Sequence, residues 1–240
     1  MTNSKPPSGW GTDPLTQYLE DARGNQFATF DNKRRAMADL IAIDRLFLKL
    51  LHSAVNPDPK IPMFFLLRAH AAYRAATSAV MAGQLFEVQA LLRLCLEHAG
   101  YGHFIGGDIK KWERWMSRTD SKKTRKAVRD EFTAGAVKAS IKAASAHIAQ
   151  GYETLYEQAL DYGAHPNETG FSMSSALRRA DDRIHFDTVY LHSDGLALDF
   201  SLRTTAQVGL CVLRIGQLIY PTRYELQGIR HDLDVIRQRY

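Results

Sequence analysis

Gln89, Arg93 and Glu97 recur every four residues and form one polar line along an otherwise apolar helical stretch. An arginine in such a stretch needs a counter-charge, and Glu97, one turn on, brings a carboxylate. His98 follows directly, about 100° further around the helix. The preceding helical stretch carries a matching line, His70, Arg74 and Ser78, with Arg68 on a neighbouring face. If the two helices run antiparallel with those lines facing, they enclose a buried Arg/Glu/His site suited to anion binding or proton transfer. The plainer reading is an ion pair that sets helix register. A second candidate is Tyr162-Gly163-Ala164-His165-Pro166-Asn167. There His165 and Asn167 stand just past a long helix, where a protonated imidazole also acts as a simple cap.

Metal chemistry finds no ligand pattern here. The chain holds no Glu-x-x-His, no His-Glu-x-x-His and no paired Cys-x-x-Cys. Neither a P-loop nor Gly-x-Gly-x-x-Gly occurs, so neither a metal nor a nucleotide cofactor is expected. Gly100-Tyr101-Gly102 lies inside a helix and reads as a site of close helix packing.

The stretch Arg93-Leu94-Cys95-Leu96-Glu97-His98 resembles the motif of the HEPN ribonucleases, in which an arginine precedes a histidine by four to six residues. The resemblance extends over about residues 60–165, and the chain is also similar in general pattern to uncharacterised bacterial helical-bundle proteins. What it implies is an all-helical homodimer in which Arg93 and His98 cleave RNA without metal. The family usually has a polar residue directly after the arginine, whereas this chain has Leu94.

Charge adds a further lead. Residues 110–142 hold eleven basic side chains against four acidic ones, a local surplus larger than the net +5 of all 240 residues. Lys122, Lys123, Arg125 and Lys126 are its densest part. Such a patch attracts RNA or another acidic partner, although a solvated helical face is the ordinary reading of a charge run. Trp112 and Trp115 are its only interleaved tryptophans.

The elements that must position these groups are helices. Apolar residues make up 45% of the chain and charged ones 24%, as in folded globular proteins. No window approaches the roughly 18 uninterrupted apolar residues of a membrane span. The first residues lack a signal-peptide layout, and Cys95 and Cys211 sit in apolar contexts, which together lead us to expect a cytoplasmic protein with reduced thiols. Residues 1–29, with their prolines and glycines, read as an arm that is loose or laid over the surface, and 30–240 as a single helical domain.

Helical periodicity marks 30–51, ended by Val55-Asn56-Pro57-Asp58-Pro59, then 62–81 and 85–105. Two shorter basic helices follow, broken near Thr119–Ser121, and one long helix runs from 135 to 162. Two β-rich runs, 186–191 and 196–200, flank His192-Ser193-Asp194-Gly195 and read as a β-hairpin within 184–200. The last apolar helix spans 206–220, followed by a charged one. The expected class is all-α, a helical bundle with one small hairpin. The leading functional expectation is a partner- or ligand-binding module. The alternatives are a HEPN-like ribonuclease and a nucleic-acid binder working through the basic segment.

Overall fold

The computed structural model describes residues 6–52, 54–180 and 182–240, and they form an all-α bundle with one two-stranded hairpin. Three helices follow the apolar periodicity. Helix α2 (Arg34–His52) buries Met37, Leu40, Ile43, Phe47, Leu50 and Leu51. Helices α3 (Ile61–Met81) and α4 (Glu87–Ile105) pack side by side along much of their length. Small side chains make that approach close: Ala69, Ala72, Ala76 and Ala99 are buried, and the Cys95 thiol donates to the Ala69 carbonyl at 3.2 Å. The tight packing read into Gly100 and Gly102 is present too, since a Cβ on Gly100 would lie 2.7 Å from Val137 and one on Gly102 3.0 Å from Phe65.

Helix α10 (Leu196–Ile219) runs through the middle, against α2, α3 and α4. Its length and composition would allow it to cross a membrane, yet 67% of its apolar window is buried by the other helices. Its closest approach is at Gly209, where an added Cβ would stand 2.7 Å from both Ile43 and Tyr73.

Four parts of the chain depart from the sequence reading. Residues 14–29 are not a loose arm but most of helix α1 (Pro14–Asn32), started by Pro14 and by an Asp13 cap that accepts from the backbone of Leu15 and Thr16. This helix is laid over the surface with only Ala22 and Thr29 buried. It is held by polar bonds: Asn25 donates to the Ala82 carbonyl at 3.0 Å, Gln26 to Ser78 at 3.1 Å and Thr29 to Met81 at 2.9 Å. The Met81 and Ala82 carbonyls stand at the end of α3, where helical N–H partners run out, while the Ser78 carbonyl also accepts from the Ala82 N–H, so α1 closes that helix end with side chains. An apolar period could not reveal such a helix.

The hairpin also lies earlier than expected. Its strands are β1 (Ser175–Ala180) and β2 (Arg183–Thr188), antiparallel with Leu177 opposite Phe186, and the turn carries Asp182 at φ +57°. Residues 196–200 are the first turns of α10 instead of a strand. Lys33 explains the placement, because its ammonium bridges Asp194 at 2.5 Å and Asp199 at 2.7 Å, on either side of the start of α10.

The long helix of 135–162 is two helices, α7 (Ala134–Ala144) and α8 (Ala146–Ala159). Ser145 ends the first and caps the second with its side chain. A π-turn (Leu160–Ala164) follows, and Gly163 at φ +139° lets its backbone press on Phe86. The polar stretch after it holds the short helix α9 (Glu168–Ser174).

The basic segment forms α5 (Ile109–Met116) and α6 (Lys122–Glu131), joined by a 3-10 turn. They rest on a small second core of Phe65, Ile105, Val128 and Phe132. The chain ends with α11 (Pro221–Leu226) and α12 (Ile229–Arg237), packed through Tyr224, Ile229, Leu233 and Ile236.

Replacing Gly209 with alanine adds a methyl group where two core side chains already meet. The expected cost is about 1–3 kcal/mol, read from urea unfolding, and an unchanged midpoint would mean that α10 stands further from α2 and α3 than described.

Candidate functional site

The two polar lines do not face each other. On α4, Arg93 Nε donates to Glu97 Oε1 at 2.8 Å, and the hydroxyl of Tyr156 on α8 donates to the same oxygen at 3.0 Å. The Arg93 guanidinium also lies 5.5 Å from the centre of the Tyr156 ring. On α3, His70 and Arg74 turn the other way, to Asp44 on α2. His70 Nε2 meets Asp44 at 2.6 Å, and Arg74 binds it through two nitrogens at 2.7 and 2.9 Å. The expected internal pocket between α3 and α4 is therefore replaced by two separate clusters on opposite flanks, because the seam itself is filled with alanines and leucines.

Nor is the Arg93–Glu97 pair enclosed. Its side chains keep 31% and 32% of their accessible surface, so water reaches both charges. Gln89, at the head of that line, is fully buried, and its Oε1 has no partner among the described residues.

Arg93 and His98 address different neighbours. Five helical residues turn the chain by about 140°, which sends Arg93 to α8 and leaves His98 beside Phe65, ring centres 6.4 Å apart. Burial, then the nearby Arg68 charge, depresses the His98 imidazole below its ordinary value. His165 is exposed, and its Nδ1 sits 3.1 Å from the Pro166 carbonyl. Asn167 holds the local backbone together. It caps α9 by accepting from Gly170 at 2.7 Å and donates to the Leu160 carbonyl at 2.7 Å. No hydrogen bond or ion pair joins His165 or Asn167 to Arg93 or Glu97 among the described residues.

Electrostatics in the α2–α3 cluster are one-sided. Burial raises the Asp44 carboxyl, but hydrogen bonds from Arg74 and His70 outweigh it and hold the group below the ordinary value. Burial lowers the His70 imidazole despite the opposing pull of Asp44. His103, which shares a 3.1 Å hydrogen bond with Ser140, is lowered by burial alone. The Cys95 thiol is pushed well up and that of Cys211 up to about 12, both by burial, so neither is poised as a nucleophile.

Within the basic segment, some cations are spoken for. Arg114 grips Glu131 with two hydrogen bonds of 2.9 and 2.7 Å, Lys111 binds the Phe104 carbonyl at 2.9 Å, and Lys138 pairs with Glu153. Lys122, Lys123, Arg125 and Lys126 are not engaged in an ion pair among the described residues, and all but Thr124 of that run are exposed. Their spacing decides the geometry. Lys122, Arg125, Lys126 and Arg129 stand at i, i+3, i+4 and i+7, so they share one face of α6 spanning about 100°. Arg129 alone of the four is within ion-pair distance of an acid, Asp130 at 4.0 Å. Lys123 lies just off this face, about 60° beyond Lys126. The two tryptophans stack on each other at 5.3 Å, which engages one face of each, and pack edge-on to Phe65.

Sequence reasoning passed over one site altogether. A cleft of about 400 Å³ lies between α8, α10 and the C-terminal end of the chain, with Arg214 on its wall. The signal was present, since Arg214 is the one charge in the run Ala206–Ile219.

No family model matches this chain, and neither do any of the curated proteins or solved structures compared with it.

Two outcomes follow from the geometry. Glu97→Ala should cost about 1 kcal/mol in denaturant unfolding, since a partly exposed Arg93 is rehydrated when its partner goes. A loss near 4 kcal/mol would mark the pair as enclosed. For pH, a histidine whose folded value lies below its unfolded one stabilises the fold above the ordinary 6.5 and loses that contribution as pH falls through the folded value. The thermal midpoint should thus drop between pH 7 and pH 5, and less steeply in His98→Asn/His103→Asn. A midpoint that stays constant over that range, or an unaltered slope in the double variant, contradicts the assignment.

Proposed function

We propose that the protein is a binding module that engages the phosphate backbone of a nucleic acid through the cationic face of α6. The observation that carries this reading is the helical spacing of Lys122, Arg125, Lys126 and Arg129 on one exposed face, three of them without a counter-charge among the described residues. Four like charges at three- and four-residue separations repel one another, so an isolated helix gains nothing from them. Seven residues of helix extend about 10 Å, and each strand of a duplex presents a phosphate every 3.4 Å or so of its axis. The stripe thus faces about three successive phosphates.

Two features favour a duplex backbone over other anionic partners. Trp112 and Trp115 stack on each other and pack edge-on to Phe65, which engages one face of each in the fold instead of offering it to unpaired bases. Ala127 and Val128 are the only apolar residues of α6, and Val128 is buried. The helix therefore lacks the apolar face with which an interfacial helix enters a membrane. A homodimer, which the resemblance to the HEPN ribonucleases implies, would offer two such faces, and light scattering of the free and bound protein reads that stoichiometry.

The test is fluorescence anisotropy with a labelled duplex of about 20 base pairs at roughly 50–250 mM salt. Binding should weaken linearly in a log–log plot with a slope of about −3 to −4, near the −0.9 expected per neutralised phosphate. Lys126→Gln should flatten the slope by about one, while Arg179→Gln/Arg183→Gln on the hairpin should leave it unchanged. Absence of binding at the lowest salt, or a slope indifferent to the α6 variants, would overturn the reading. The ribonuclease reading rests on the Arg93–His98 spacing. Cleavage of RNA in chelator that disappears in a folded His98→Ala variant would replace the binding module with an enzyme.

A further inference from the structure

Helix α8 shows Tyr152 and Tyr156 to α4, and another flank of the same helix lines the cleft of about 400 Å³. Gln158 donates to Thr204 at 2.8 Å, and Tyr152 lies near Cys211, so α8 and α10 run antiparallel. That direction sets the ends of the cleft. Gln158 closes one end, while Arg214, further along α10, stands at the other, where α8 begins with His147 and Ile148. Between them the walls are Ile148, Leu155, Leu210 and Cys211. Tyr240 and Arg237 close the side formed by the C-terminal segment.

Arg214 is the unusual residue. Its Nε is buried and has no hydrogen-bond partner among the described residues. Burial, and then the neighbouring Arg237 charge, disfavours its guanidinium, with Asp234 acting weakly in the opposite sense. Arg237 is itself barely compensated, its Nε 3.9 Å from Asp234 and both side chains about half exposed. Two guanidinium groups thus converge at one end of an apolar slot with one distant carboxylate between them. A buried donor left unpaired is costly, and the planar fork of a guanidinium matches the two oxygens of a carboxylate.

Gly151 supplies a second, independent observation. It lies in the middle of α8 and lines the cleft, and a Cβ built on it meets no atom within 4 Å. A helix interior disfavours glycine unless something claims the room. No described residue does.

We propose that the cleft binds a small organic carboxylate, with its head on Arg214 and Arg237 and its apolar body along Ile148, Leu155, Leu210 and Cys211. The volume falls within the range of small-molecule pockets, which are commonly about 300–1,000 Å³. A polyphosphate is the wrong shape of charge for this site, which has two cations at one end, Asp234 beside them and, elsewhere, apolar side chains interspersed with neutral polar ones such as Gln158 and Gln207.

Isothermal titration of the full chain with octanoate, decanoate, 3-phenylpropanoate and indole-3-acetate tests the site, with decanol as the uncharged counterpart of decanoate. At least one carboxylate should bind, and Arg214→Met should weaken it about tenfold or more while leaving decanol unaffected. Gly151→Phe, which puts a ring into open space, should abolish binding without altering the circular dichroism, and it serves as the deciding variant if Arg214→Met does not fold. Arg237→Gln should weaken the carboxylate less than Arg214→Met does. Binding of none of the four acids, equal binding by folded Arg214→Met, or full binding by Gly151→Phe would each overturn the assignment. None of the three variants touches α6, so loss of carboxylate binding with retained duplex binding separates this site from the nucleic-acid face.

Discussion

The close approach of α10 to α2 and α3 at Gly209 is the constraint from which the arrangement follows. With Ile43 and Tyr73 both 2.7 Å from where a Cβ would stand, no side chain larger than hydrogen fits without displacing one of them. Tyr73 is held there by its hydroxyl, which donates to the Leu40 carbonyl at 3.1 Å, so the aromatic ring is both packed and anchored. The alanine seam between α3 and α4 continues the same logic on the other side of the core. Interiors packed at this density leave no room for a polar pocket at their centre.

That exclusion distributes the charges. Asp44 with His70 and Arg74, Lys33 with Asp194 and Asp199, and Asp39 with Arg239 and Tyr240 all sit where one helix meets another at the edge of the core. Each joins segments distant in the chain. Asp39 is 3% exposed, and it fastens the C-terminal residues to α2. The same fastening sets Tyr240 against the cleft beside α10. The exposed members of these clusters contribute little apiece, but together the clusters fix which helices are neighbours.

Helix α8 ties the polar features together. One flank gives Tyr156 to Glu97, a second gives Gly151 and Leu155 to the cleft, and its first residues follow Ser145, which also ends α7. The basic helices stand apart, on their own small core around Phe132 and Val128. There Glu131, on the far side of α6 from the stripe, is taken up by Arg114, and only Arg129 of the stripe has an acid within reach, Asp130.

Much of this fold was legible in the sequence alone. The apolar periods of α2, α3 and α4, the break at Pro57 and Pro59, the two short basic helices and the all-α class depend on interactions between residues three or four apart, which any chain displays locally. So does the cationic stripe of α6. Tertiary structure decided the rest. Helix α1 has almost no apolar face and exists on bonds to carbonyls more than fifty residues away. Asp194-Gly195 has the letters of a hairpin turn but starts a helix, because Lys33 pairs with acids on both sides of it. The polar lines of α3 and α4 are visible as lines in the sequence, yet a helical period cannot say which neighbour covers a face. Asp44, Tyr156 and the unpaired Arg214 received their roles from the rotation of whole helices against one another. Packing sets that rotation over distances the local pattern does not record.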